Sequence, residues 1–257
     1  GCVQNQADKT AFAAPRATGQ STVAALVQAG DEARARGELD NAATLYRSAH
    51  RIGPQEALPL VRLGEVLATN GAAADAAQAF RKALRFNGRD AGALRGLGNV
   101  LIILDQSELA VPYFQRALEI APEDVRIYLG LGVAYDLGGD HEAARAMYDT
   151  GLRHSPDDPD LLANNGLSYA LSGDHQAAIE FARLALADDR STHQHRLLMA
   201  LIYGLAGRDE DARRVSAMDY DQASTERNIS YFQTLRALDD PAKRLRAIRA
   251  FFAGAHS

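Results

Sequence analysis

Gly30, Gly64, Gly98, Gly132 and Gly166 follow one another at steps of 34 residues. A fixed period of this length means one small supersecondary unit used several times over, and it constrains the fold more than any bulk property does. Other registers keep the same step. Ala42, Ala76, Ala110, Ala144 and Ala178 form one. Tyr46, Phe80, Phe114 and Tyr148 form another, with Ala182 in the last copy. Ala49, Ala83, Ala117, Gly151 and Ala185 follow, and Pro54, Pro122 and Pro156 close three of the copies, with Gly88 and Arg190 in the other two. The copies run without insertion over 23–56, 57–90, 91–124, 125–158 and 159–192. A degenerate sixth at 193–226 keeps Tyr203, Gly207 and Ala212.

The residue types predict an all-α chain. Ala, Leu and Arg are common, Trp is absent and Pro is sparse, a mix that favours helices. Small residues at the Gly98 and Ala110 registers let two antiparallel helices approach closely. The aromatic at the Phe114 register fills the space between neighbouring copies. Gly37, Gly71, Gly139, Gly173 and Gly207 fall between the helices of each pair, where a left-handed helix stop wants glycine, and Asp105 stands there once. Pro at the end of a copy stops the second helix from running on. One helix pair cannot bury its apolar face alone, so the copies must stack.

The copy AGALRGLGNVLIILDQSELAVPYFQRALEIAPED, residues 91–124, places Leu94, Leu97, Gly98, Leu101, Ala110, Phe114, Ala117 and Pro122 as the tetratricopeptide repeat (TPR) does, and residues 23–192 resemble five such repeats in a row. The resemblance implies a superhelical solenoid of antiparallel helix pairs whose first helices line a concave groove. After it, QASTERNISYFQTLRALDD reads as a helix with Ile229, Phe232 and Leu235 inward. PAKRLRAIRAFFAGAHS carries Lys243, Arg244, Arg246 and Arg249 with no acid, and Leu245, Ile248 and Phe252 on one helical face. Residues 227–257 are therefore expected to be helices capping the last repeat, rather than a helix binding a membrane surface.

No catalytic pattern accompanies the repeats. H-E-x-x-H, C-x-x-C, G-x-S-x-G and phosphate-binding glycine loops are absent from the sequence. The expectation is a chain that is not an enzyme and needs no cofactor or metal. His193 and His195 are two apart, which on a helix turns them away from each other. His141 and His175, at equivalent turns, read as solvated helix-start residues. Tyr128, Tyr135, Tyr169 and Tyr203 read as core rather than as a stacking platform. A formal net charge of −5 argues against nucleic acid as a partner. The longest strongly apolar run, 100–104, is far short of the roughly 20 residues that span a bilayer.

The partner implied by the resemblance is a protein. Carried onto this chain, the groove positions of the TPR family are Val61 and Glu65 in the second copy and Arg95, Asn99 and Ile102 in the third. The fourth gives Arg126, Leu129, Val133 and Asp136, and the fifth Asp160, Asn164 and Leu167. One subgroup clamps a terminal carboxylate with a basic residue and an Asn four apart. Arg95 and Asn99 match that start, but Gly130, Asp160 and Asn164 stand where the remaining clamp residues belong. The groove is apolar in the middle with a few amides and charges, which suits an extended segment or helix with apolar anchors.

Cys2 is the only cysteine of the 257 residues. Gly1–Cys2 followed by the polar VQNQADKTAFAAPRATGQST resembles the processed junction of a bacterial lipoprotein, which makes Cys2 the expected lipidation site and 1–22 a flexible tether. With LLANNGLSYALSGDHQAAIEFARLAL, this start resembles the TadD-like lipoproteins of the tight-adherence (Flp) pilus system. What that resemblance implies is an outer-membrane lipoprotein facing the periplasm, anchored through its lipid, that assists secretin assembly. The alternatives are a type IV pilotin-like secretin assembly factor and a soluble TPR adaptor.

Overall fold

The computed structural model describes residues 15–254. Every regular element among them is an α-helix, and they fall into two compact units that meet at Gly88 and Arg89. The first unit holds α1 (Pro15–Ala35), α2 (Leu39–Ile52), α3 (Leu58–Thr69) and α4 (Ala73–Phe86). The second holds α5 (Ala91–Ile103), α6 (Ser107–Leu118), α7 (Val125–Leu137), α8 (His141–His154), α9 (Pro159–Leu171), α10 (His175–Ala187), α11 (His193–Leu205), α12 (Asp209–Ser216), α13 (Gln222–Arg236) and α14 (Pro241–Gly254). The helices α5, α7, α9 and α11 start 34 residues apart. The chain is thus all-α and built of antiparallel helix pairs, as its period requires.

One turn chemistry closes the first helix of each pair. Gly37, Gly71, Gly139, Gly173 and Gly207 have φ between 75° and 89°, and Asp105 has φ 60° in the same place. Two backbone bonds accompany each. At α7, Gly139 N–H donates to Asp136 at 3.0 Å and Asp140 N–H to Tyr135 at 3.0 Å, a Schellman stop that satisfies carbonyls the helix end would leave bare. Asp90, Asp124, Asp140, Asp158 and Asp174 then cap the next helix, each accepting an N–H of its first turn.

Between the two helices of a pair, glycine meets an aromatic ring. A Cβ on Gly30, Gly64, Gly98 or Gly132 would stand 2.3–2.7 Å from the ring of Tyr46, Phe80, Phe114 or Tyr148 respectively. Phe114 also presses on Gly130 of the following pair, so one ring packs two first helices at once. In the second unit α5, α7, α9, α11 and α13 touch in turn and form one row, while α6, α8, α10 and α12 each bridge two members of it.

Two differences from the sequence reading concern the ends. Helix α1 begins at Pro15, so residues 15–22 are helical rather than part of the 1–22 tether. Pro is pre-organised for a first helical turn, and the Val23 and Val27 side chains farther along are buried. Cys2 lies outside the described residues. At the other end α13 covers α11 and α12, with Ile229, Phe232 and Leu235 buried. Helix α14 packs on α13 and then lies back over the row of first helices.

Candidate functional site

The second unit holds a cleft of about 590 Å³ between α14 and the row beneath it. Its floor comes from the ends of three first helices: Ile102 and Ile103 of α5, Val133, Asp136 and Leu137 of α7, and Asn164, Leu167 and Leu171 of α9. Its roof is α14, through Leu245, Ile248 and Phe252, with Arg246 and Arg249 at the rim. Those positions share one side of a helix, because residues three, four and seven apart do.

Other contacts fasten α14 to α13. The Tyr231 hydroxyl donates to the Ala247 carbonyl at 2.8 Å, and the Tyr231 and Phe251 rings stack with centroids 5.0 Å apart. The Arg244 guanidinium donates to the Leu235 carbonyl at 3.2 Å and also to that of Leu238, bridging the last turn of α13 and the segment after it. Across the cleft, Arg249 bonds the Asp105 carboxylate and the Ile102 carbonyl, closing a contact over 144 residues of sequence.

Asp136 is the charged group of the floor, and it is buried. It accepts from the Tyr148 hydroxyl at 2.9 Å and the Ser168 hydroxyl at 2.7 Å, and pairs with His141 Nδ1 at 2.7 Å. A buried carboxylate is tolerable only when its lone pairs are so occupied. Burial first, and then the carboxylate beside it, push the Tyr148 phenol well above its ordinary pKa, so it stays a donor. His141 is thus held against Asp136 and largely buried, contrary to the solvated position expected for it. The tight α7–α8 turn returns the first residue of α8 to the end of α7. His175 occupies the same place one repeat on, but Ala170 stands where an acid would, and its buried Nδ1 has no partner.

The remaining groove positions do not join this cleft. Val61 belongs to the first unit and is 4% exposed. Glu65 is tied to Arg34 and Arg62, both at 3.0 Å. Arg95 and Arg126 converge on Asp124 at 3.5 and 2.7 Å, with Arg95 largely buried and Arg126 exposed. Burial opposes ionisation of Asp124, yet the Arg126 bonds and the two positive charges outweigh it and hold its pKa low. Asn99 is exposed and Leu129 packs near Tyr148 and Leu161. Asp160 accepts from His195 Nε2 at 2.9 Å, the tautomer assigned because Nδ1 receives the Thr192 N–H. The floor residues Ile102, Val133, Asp136, Asn164 and Leu167 were all expected in a groove. Ile103, Asp105, Arg246 and Arg249 were not. The signal for the two arginines lay in the acid-free charge of 241–254, whereas nothing in the sequence marked Ile103 or Asp105 for the cleft.

Tyr128 and Tyr203 are core, with 8% and 5% exposure. Tyr135 and Tyr169 are half-buried, and Tyr169 stacks on Phe181 under the Arg145 guanidinium. Among the described residues no group of three His, Cys, Asp or Glu could hold a metal ion, and no helix is long and apolar enough to cross a membrane.

Two family models, both described as tetratricopeptide repeat, match residues 101–163 and residues 27–93 with 138–195. Among solved structures, the MamA protein is 25% identical with a TM-score of 0.57 over 65% of this chain and 92% of MamA. YrrB, described as a TPR protein with an unusual peptide-binding site, is 25% identical with a TM-score of 0.53 over 63% and 84%. PilF of Pseudomonas aeruginosa is 20% identical with a TM-score of 0.69 over 84% and 99%, a likeness of fold. No curated protein matches the sequence.

Proposed function

This chain belongs to the tetratricopeptide repeat family, and on that premise we propose that it is a protein–protein interaction scaffold that takes a partner segment on the first-helix face of α5, α7 and α9. The observation that carries the reading is the cleft itself, an apolar floor with few polar groups on three rigid helices. Sites that bury apolar anchors and orient them with a few polar groups have this composition. Asp136, the acid of the floor, is consumed by three partners within the fold, which leaves it no free role in proton transfer. The chemistry on offer is recognition.

The finer part of the proposal is a location and a task. Cys2 carries lipid and anchors the chain to the outer membrane on its periplasmic side, where it assists secretin assembly in a tight-adherence pilus. The Gly1–Cys2 junction, the polar segment after it and the likeness of 161–186 to TadD-like lipoproteins support this reading. The test places a photo-cross-linking residue at position 103, exposed on the cleft wall, or at position 180 on α10, in cells that build the pilus. A cross-link to the secretin from 103 and not from 180 is expected, and the reverse pattern overturns the assignment of the face. Labelled fatty acid should enter the precursor with Cys2 and not the Cys2→Ser variant. Equal absence of label from both overturns the anchor.

A further inference from the structure

We infer that the space under α14 is a binding site for an apolar partner segment flanked by a carboxylate, with α14 as its fixed roof and Arg246 as the group that receives the acid. This deepens the reading of the first-helix face and rests on it. Three observations converge.

The first is what holds α14. Its ties to α13 run along its length, through Arg244, Ala247 and Phe251. The helix therefore stays on α13, and a ligand enters beneath it rather than replacing it. The second is the cleft. It opens to solvent, and its volume of about 590 Å³ lies within the range of ligand pockets. Leu245 and Ile248 are 9% and 2% exposed and share a buried cluster with Leu171, so α14 is packed down on the second unit, and with Phe252 it also lines the cleft opposite Val133 and Leu167.

The third is the charge left over. Asp136 is engaged by Tyr148, Ser168 and His141, and Arg249 is engaged by Asp105. The exposed guanidinium of Arg246 also lines the cleft, and no ion pair or hydrogen bond of it is seen among the described residues. Lys243, also exposed, adds to the positive field of an acid-free helix. Apolar walls with one uncommitted cation select apolar side chains next to a carboxylate, since a guanidinium matches a carboxylate in charge and fork geometry. Asp105 and Arg249 also line the cleft, but they are paired with each other, and their contact ties the roof to the α5–α6 turn.

The probes are two dansylated octapeptides with the same four apolar residues, one flanked by Glu and the other by Lys. Binding to the full chain is read by fluorescence anisotropy at low salt. The Glu peptide should bind about tenfold tighter than the Lys peptide, the scale of one charge-assisted contact. Arg246→Glu, at an exposed position, should reverse that preference. Ile103→Asp, on the exposed wall, should weaken both peptides about tenfold. Arg249→Glu, which unties the roof, should also weaken both, with helical content by circular dichroism unchanged. Tighter binding in Arg249→Glu would mean that α14 obstructs the face, and would overturn the proposal. So would a peptide preference that Arg246→Glu leaves unmoved. If the cross-link from position 103 persists alongside either result, the scaffold reading stands and this one falls.

Discussion

A methyl group at position 132 has nowhere to go. The Cβ of Gly132→Ala would stand 2.3 Å from one Tyr148 ring carbon and 2.7 Å from two others. Ordinary carbon contacts are about 3.5–4.0 Å, so the ring or the helix must yield by more than about 1 Å. The ring cannot swing freely, because its hydroxyl is held by Asp136 at 2.9 Å and the side chain is fully enclosed. Overpacking of this kind costs about 1–3 kcal/mol, from which the better helix propensity of Ala returns up to about 1 kcal/mol. A net loss of about 1–2 kcal/mol lowers the melting temperature of a chain this size by roughly 2–8 °C. Because a repeat array is stabilised repeat by repeat, hydrogen exchange should show the loss concentrated in α7 and α8. Gly71→Ala is the contrast. No atom lies within 4 Å of its Cβ, and its cost of about 1–2 kcal/mol comes from φ +76° alone. Asn should recover part of that cost at position 71, since it tolerates the left-handed region, and none at position 132. A Gly132→Ala chain that melts with the parent and exchanges α7 and α8 amides at the parent rate would refute the close glycine–ring contact.

Tyr148→Phe should destabilise by about 1–2 kcal/mol in thermal melts, because it takes one of three donors from the buried Asp136. Tyr46→Phe should cost less, because the carboxylate of its partner Asp31 is 36% exposed and water can replace the lost bond. Glu38 is held at about 2 by its bonds from Arg36 and Asn41, and Asp188 at about 2 by its bonds from Arg190. Both folded-state values lie below the ordinary carboxylate range near 4, so these groups favour the fold above that range and lose their effect as pH falls from about 4 to 2. Carbon-detected titration of the carboxyls should find both ionised at pH 3 in the native chain, and Arg36→Gln should return Glu38 towards 4.

Much of the fold was legible because a solenoid writes its contacts at a fixed separation. Gly132 meets Tyr148 sixteen residues on, as Gly98 meets Phe114, and the same interval marks every complete copy. The five turn glycines could be named from sequence because only a left-handed stop explains glycine at that one register, and Asp105 took the same φ when it replaced them. What periodicity cannot encode is a contact outside its own interval. Arg249 reaches Asp105 across 144 residues, and no repeat register pairs 241–254 with the α5–α6 turn. The apolar stripe of Leu245, Ile248 and Phe252 said that this helix buries one side, yet a cap and a roof require the same stripe. The polar ties escaped for a related reason. His141 and His175 are equivalent in the period, but Asp136 and Ala170 are not, and that one difference decides which imidazole is bound. The floor residues Val133 and Leu167 share one register and were legible for that reason, whereas the roof belongs to no repeat. Arg246 obeys no register, and the cleft it borders is where the stack leaves room for something else.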